Sequence, residues 1–304
     1  MNDPPICMYK QLIPHDHPAK SECHLSEKNL VGTFKYSGGK SEKIKQCEGL
    51  SNLTTNTLCF YTQNIWFESY NMQERFDNLF QLMLDSQADF ICLQEVTHQF
   101  RDTLFQDARF AEYYISGNLF HCYGCLILSK YPANFYDFEF EDTRMDRNCL
   151  IAELVVNGKF FYVATSHLES MNSAKRRAKQ VDYIQNELLF EKQMIFMGDF
   201  NFDYKWDTER NHFDWDKFID IWEELKDPSD QSYTMPNTPY WPAVTFDHII
   251  LTKSCQFEQR FIERVGNYCC RNFDNSELHE IQNDDIVRTP SDHLGLFADI
   301  VLKE

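Results

Sequence analysis

The chain has no run of about 18 apolar residues, so no membrane-spanning helix is expected anywhere in its 304 residues. Its opening stretch, MNDPPICMYKQLIPHDHPAK, lacks the charged-then-apolar layout of a secretory leader, and secretion is not expected either. Basic residues are scarce: 29 Lys and Arg stand against 47 Asp and Glu, a formal charge of −18. Proteins that coat long nucleic acids need many cationic contacts to phosphate, so that class is disfavoured. Action at a nucleic-acid end is not, because a divalent cation can offset a carboxylate cluster and admit one phosphate. Neither an internal repeat nor a strong basic import run is visible. Of the eleven cysteines, Cys59, Cys92 and Cys149 sit inside apolar runs. They read as free thiols packed as small hydrophobes in a reducing compartment, nucleus or cytosol.

What is present is ample material for a core, at 43% hydrophobic and 15% aromatic residues. Residues 1–55 are polar and aperiodic and read as a tail or loosely attached segment; their Cys and His spacings match no zinc pattern. The folded catalytic domain is expected over 56–304. There, β-forming runs at 57–65, 89–94, 122–129, 147–156, 159–166, 193–199, 245–252 and 295–302 alternate irregularly with helical-period stretches at 72–86, 173–190 and 214–225. Asn157-Gly158 between two of these runs signals a hairpin, so the sheet cannot be all parallel. A mixed-sheet α/β or α+β sandwich is the expected class.

Several apolar runs end in polar residues. MIFMGDFN delivers Asp199 and Asn201; LCFYTQN delivers Asn64; FICLQEV carries Glu95; FFYVATSH ends in Ser166 and His167; VTFDHIIL holds Asp247; and SDHLGL brings Asp292 and His293 to the start of a strand. One strand-end Asp is ordinarily a turn former. So many such exits are most simply explained by convergence on one sheet rim, where ligands bind in open α/β architectures. The set suits a metal-assisted phosphodiesterase. Glu95 offers a hard oxygen ligand for Mg²⁺, with Mn²⁺ as a substitute, and Asp292 binds or tunes the metal. Asp199 positions or deprotonates water, which Asn201 orients, and a His293–Asp247 pair stabilises the phosphoryl oxygens. Lys175, Arg176, Arg177 and Lys179 form the one dense basic cluster, either a phosphate grip or a solvated helix face.

The ordered motifs QNI, LQEV, SHLES, GDFN, FDH and SDHLGL resemble the endonuclease/exonuclease/phosphatase superfamily, and TSHLES, WEELKDPSDQSYT and TPSDHLGLFADI are most similar to its tyrosyl-DNA phosphodiesterase branch. That resemblance implies a four-layer α/β sandwich of two packed mixed sheets flanked by helices, as in DNase I. It implies hydrolysis of 5′-phosphotyrosyl bonds between DNA ends and trapped topoisomerase, in DNA repair, by a monomer. It assigns Asn64 to the metal site with Glu95 and Asp292, and sets His167 beside the phosphate with Ser166 near it. Arg147, Asn148 and Arg177 become candidate DNA contacts. Phe200 and Asp203 stand where that branch has a Thr and a cation, and Met235 where it has a Trp, so Trp241 is the candidate aromatic surface for DNA. A 3′ exonuclease, a poly(A)-shortening enzyme or a nucleotide phosphatase is the alternative within the superfamily; a catalytically silent scaffold is the alternative outside it.

Overall fold

The computed structural model describes residues 11–12, 25–44, 50–189, 191–230, 233–236, 242–267 and 289–304. In chain order its main strands are β1 (Leu30–Ser37), β2 (Lys40–Ile44), β3 (Asn52–Thr54), β4 (Thr57–Asn64), β5 (Phe90–Thr97), β6 (Tyr114–Gly117), β7 (Tyr123–Ser129), β8 (Asn134–Glu139), β9 (Asn148–Val156), β10 (Lys159–His167), β11 (Met194–Asp199), β12 (Phe218–Asp220), β13 (Asp247–Thr252), β14 (Phe257–Val265) and β15 (Gly295–Leu302). The main helices are α1 (Met72–Asp85), α2 (His98–Gln106), α3 (Ala174–Tyr183) and α4 (Ile221–Leu225).

One sheet runs β12-β13-β11-β10-β9-β8 and the other β6-β7-β5-β4-β15-β14. β1 joins them: Leu30 and Val31 pair with β8, while Gly32–Lys35 pair with β6. The expected hairpin is present, β9 lying antiparallel to β10 across Asn157 and Gly158, both with positive φ. β4·β5 and β10·β11 are parallel. Both sheets are therefore mixed.

Strands such as β4 read as unbroken apolar runs because both of their faces are buried. Leu58 and Phe60 face the core between the sheets, with Phe90, Phe161, Val163, Ile195 and Ile249, whereas Cys59 and Tyr61 belong to an outer core against α1 and α2. On the other flank, Val181, Ile184 and Leu188 cover Ile151, Tyr162 and Phe196. Helix, sheet, sheet and helix make the four layers.

Three expectations need correction. The segment before residue 55 is not uniformly a tail: β1 and β2 are integral to the sheets, and Thr33 is buried. The helix expected over 173–190 stops being α-helical at Tyr183 and continues as one π turn, Ile184–Leu188. The helix expected over 214–225 covers only Ile221–Leu225; the preceding Phe218–Asp220 is an edge strand on β13, and the Asp220 carboxylate caps the helix by accepting from the N–H groups of Trp222 and Glu223.

Candidate active site

The carboxyl ends of β4, β5, β10 and β11 meet the amino ends of β13 and β15 at one rim, because the first four run in matched parallel pairs and their neighbours antiparallel. The side chains that gather there come from six strands or strand ends. Asp199 is their centre. Its Oδ2 accepts from Asn64 Nδ2 at 2.8 Å, lies 3.3 Å from His167 Nε2 and 3.9 Å from His293 Nε2. Its Oδ1 accepts from the Asn201 backbone N–H at 2.9 Å.

Local backbone features aim these groups. The ladder between β5 and β7 slips after Leu93, and Glu95 sits at the slip with φ +58°, so a bulge turns its side chain to the rim. Asn201 also has positive φ, at +54°, as the chain leaves β11. Before Asp199, Gly198 has φ +144°, and a Cβ there would lie 2.2 Å from the Ser166 carbonyl oxygen. Only glycine lets β11 approach β10 closely enough to set Asp199 opposite His167. Arg75, wholly buried on α1, donates to the carbonyls of Ile65, Trp66, Glu68, Tyr70 and Pro290, tying the loop after Asn64 to the loop before Asp292.

Electrostatics separates the two histidines. His293 Nδ1 lies 2.8 Å from Asp247 Oδ2. Burial works against its charged form, but the carboxylates of Asp247 and Asp199 outweigh burial and hold it well above the ordinary imidazole range. His293 is thus an imidazolium with Nε2–H directed into the cluster. His167 is the reverse: burial, then the charges of Arg147 and His293, keep it well below that range and therefore neutral. Arg147 Nη1 lies 3.0 Å from His167 Nδ1. A guanidinium only donates, so Nδ1 must accept and the ring proton resides on Nε2, 3.3 Å from Asp199 Oδ2. Asp199 itself is pushed up to about 6, chiefly by burial.

Ligand atoms of Glu95, His167 and Asp199 lie within 4.8 Å of one another. His167 Nε2, carrying a proton, is a donor in this arrangement rather than a ligand. The donor chemistry that suits a cation lies with Glu95, pushed up to about 7 by burial and then by the Asp292 charge, and with Asp292, raised by burial. A hard divalent cation bound by oxygens relieves that strain. Asn64 donates to Asp199 and accepts from the Trp66 N–H, which makes its amide a brace between the metal-side and water-side groups.

A family model described as "Endonuclease/Exonuclease/phosphatase family" matches residues 61–293, a span that takes in every one of these groups. The chain belongs to the endonuclease/exonuclease/phosphatase family. It is 27% identical to tyrosyl-DNA phosphodiesterase 2 of Xenopus laevis over 93% of this chain and 78% of that protein, and 28% identical to that of Rattus norvegicus over 80% and 67%. Among solved structures, D. rerio TDP2 complexed with single strand DNA product has a TM-score of 0.65 at 22% identity, covering 80% of this chain and 98% of that one. The human Nocturnin catalytic domain with bound sulfate has a TM-score of 0.62 at 18% identity, covering 82% and 94%. These likenesses carry the fold: the mixed-sheet sandwich of the family.

Within this endonuclease/exonuclease/phosphatase domain, other expected contacts fall elsewhere. Ser166 is buried and its hydroxyl donates to the Asn148 carbonyl, while the Asn148 amide donates to Asp137; both side chains hold strands together instead of facing a ligand. Arg177 is buried too, its guanidinium bound to Glu209 at 2.6 Å and to the Glu169 and Met171 carbonyls, so it cannot grip DNA. Of its neighbours, Arg176 and Lys179 both pair with Asp142. Trp241 lies outside the described residues. Phe200 stacks between Phe196 and His248 beneath the site. Asp203 accepts from the backbone N–H groups of Lys205 and Thr245, fastening the loop after Asn201 to the chain entering β13.

Sequence reasoning passed over Glu169 of SHLES, which accepts from Thr143 Oγ1 and the Arg144 N–H and so positions the loop bearing Arg147. A buried acid in a strand-exit motif was the available signal. It also passed over Tyr123, whose ring lies 5.4 Å from the Arg147 guanidinium and 6.3 Å from the His167 ring.

Proposed function

We propose that the chain is a Mg²⁺-dependent phosphodiesterase, with Mn²⁺ as a substitute metal, that acts as a monomer on DNA 5′ ends and hydrolyses the bond to a tyrosyl adduct, a DNA-repair reaction. The observation that carries this reading is the gathering of Asp199, Asn64, His167 and His293 around one carboxylate oxygen, with Glu95 and Asp292 alongside. The names of the tyrosyl-DNA phosphodiesterase 2 relatives support the choice of substrate.

Glu95 and Asp292 would hold the cation; when bound, it supplies positive charge to the phosphoryl oxygens. Asp199, near 6, is deprotonated at neutral pH yet basic enough to take a proton from water. Asn201 donates its amide to the Leu168 carbonyl at 3.1 Å, and its Oδ1 accepts no hydrogen bond from the described residues, which leaves that oxygen for the water. His293 and His167 each bring an Nε2–H to the rim beside Asp199 Oδ2, from which they would donate to the phosphoryl oxygens as charge accumulates on them. Water's oxygen bonds to phosphorus, its proton passes to Asp199, and the phosphorus–phenol bond breaks with its electron pair on the phenolate. The phenol pKa near 10 allows departure without a strong acid.

The test is a paired assay on a 5′-phosphotyrosyl oligonucleotide and oligo(A). Cleavage of the first alone is expected, with loss of turnover by about 10²- to 10⁴-fold in Asp199→Asn and loss on chelation. Degradation of oligo(A), or full activity after exhaustive chelation, would overturn the reading.

A further inference from the structure

His248 pairs with Gly198 in the ladder between β11 and β13, and its ring rests against those of Phe200 and Phe202, 5.3 Å from each centroid and 22° from each plane. Its side chain is buried, with Nδ1 2.7 Å from Asp220 Oδ2 and Nε2 2.9 Å from the Phe202 carbonyl oxygen. Both neighbours are acceptors, so the ring serves both only when each nitrogen carries a proton. Burial opposes that charge, but the Asp220 carboxylate outweighs it, helped by the Phe202 carbonyl and by Asp247 on the same strand. Asp220 is itself anchored, since its Oδ1 accepts from the Trp222 N–H at the start of α4. The imidazolium therefore links a fixed carboxylate to one carbonyl of the loop that leaves β11.

That loop carries Asn201, held in the left-handed region at φ +54° between Phe200 and Phe202. Upstream it is fastened by Asp199 Oδ1, which accepts from the Asn201 N–H, and by the Phe246 carbonyl, which accepts from the Phe200 N–H. Downstream the fastenings are His248 on the Phe202 carbonyl and the Thr245 N–H on Asp203. We propose that His248 is a positioning residue for hydrolysis: by donating Nε2–H to the Phe202 carbonyl it fixes the turn at Asn201, so that the Asn201 amide oxygen meets the attacking water. This rests on the phosphodiesterase reading above. Asp247 and His248 are consecutive on one strand and point to opposite faces. One orients His293 at the rim while the other acts from beneath it. An apolar side chain would fill the space beside the rings but leave a buried carbonyl unpaired.

The experiment measures kcat and KM on a 5′-phosphotyrosyl oligonucleotide in saturating Mg²⁺ for the unaltered chain, His248→Gln, His248→Asn and Asp220→Asn. Thermal unfolding of each is recorded, and the assays are run where each is folded. A Gln amide nitrogen falls near the place of Nε2 and keeps a donor for the Phe202 carbonyl. An Asn amide nitrogen falls near the place of Nδ1 and serves Asp220 alone. Asp220→Asn leaves a neutral His248 that still donates from Nε2. All three variants lose the ion pair and melt earlier. The expected result is a fall in kcat of about 10- to 100-fold in His248→Asn alone, with KM unchanged. In an Asn201→Ala background, His248→Asn is expected to cost no further kcat. Equal falls in His248→Gln and His248→Asn, falls that follow the melting temperatures, or additive losses in the double variant overturn the inference and leave His248 in the scaffold. If His248→Asn does not fold, the other two decide: retained kcat at lowered stability supports the inference, and a fall of about 10-fold in either overturns it. If the unaltered chain does not cleave the substrate, the phosphodiesterase reading fails and takes this inference with it; if it cleaves and His248→Asn matches it, only the role of His248 fails.

Discussion

Two arginines show how little a residue's charge says about its task until its burial is known. Arg147 and Arg177 both sit near the site, and both are almost wholly enclosed. Arg147 acts on the chemistry by fixing which nitrogen of His167 carries the proton. Arg177 acts on the scaffold: it ties Glu209 to the carbonyls of the loop that follows His167. Its ion pair leaves the two side chains only 4% and 2% exposed, so removing one partner strands a buried charge. That costs about 3–5 kcal/mol. Arg177→Met is therefore expected to lower the unfolding free energy by about that amount in urea titration. The salt dependence of DNA binding should stay as it was, since no phosphate contact is lost. A reduced salt slope with unchanged stability would return Arg177 to the DNA interface.

Among the elements, legibility followed burial. β4, β9, β10, β11, β13 and β15 are enclosed on both faces over most of their length, and their apolar runs mark them within about two residues. β14 is an edge strand with Glu258, Arg260, Glu263 and Arg264 along it, so its sequence carries no apolar run to read. The site residues were legible for the same reason as the strands, each being a polar group at the end or the start of a buried run. The His293–Asp247 pair was legible too, but the tautomer of His167 and the partners of Arg147 and Arg177 were not, because Arg147 with His167 and Arg177 with Glu209 depend on tertiary contacts 20 and 32 residues apart. His248 on β13 and Asp220 at the end of β12 form another such pair, 2.7 Å apart and buried under Phe200 and Phe202. Burial opposes the charged ring, yet Asp220 and the Phe202 carbonyl raise it to about 9 from 6.5. The unfolded chain titrates near 6.5, so this stabilisation is complete below that pH and is lost as pH rises through about 9. The span is on the order of 3 kcal/mol. Thermal unfolding between pH 6 and 10 should show the unaltered chain losing stability across that window. Asp220→Asn, which keeps a capping oxygen but removes the carboxylate that pairs with His248, should be less stable at low pH and show a flatter profile; parallel profiles would remove the pair from the pH response.

For the molecule as a whole, the two sheets must be held face to face for their rims to form one site, since Asn64 and Glu95 come from one sheet and His167, Asp199 and Asp247 from the other. Apolar contact between the sheets supplies much of that, through Phe60, Phe90, Phe161 and Ile195. It does not fix their alignment. β1 does, because its eight residues pair with β8 at one end and β6 at the other, making one continuous curled sheet from two. Its sequence, LVGTFKYS, is half polar and has one fully buried residue, Thr33, which is why it looked like part of a tail. A chain starting at residue 56 would expose the paired edges of β6 and β8 and uncover Phe34's place beside Phe105. Such a truncation is expected to lose cooperative unfolding, to bind a hydrophobic dye, and to lose turnover on every substrate together. A chain starting at residue 25 keeps β1 and should unfold cooperatively, leave the dye unbound and retain turnover. If the shorter chain melts as sharply as the longer one and cleaves at the same rate, the sheets find their alignment without β1, and the core between them is sufficient to set the site.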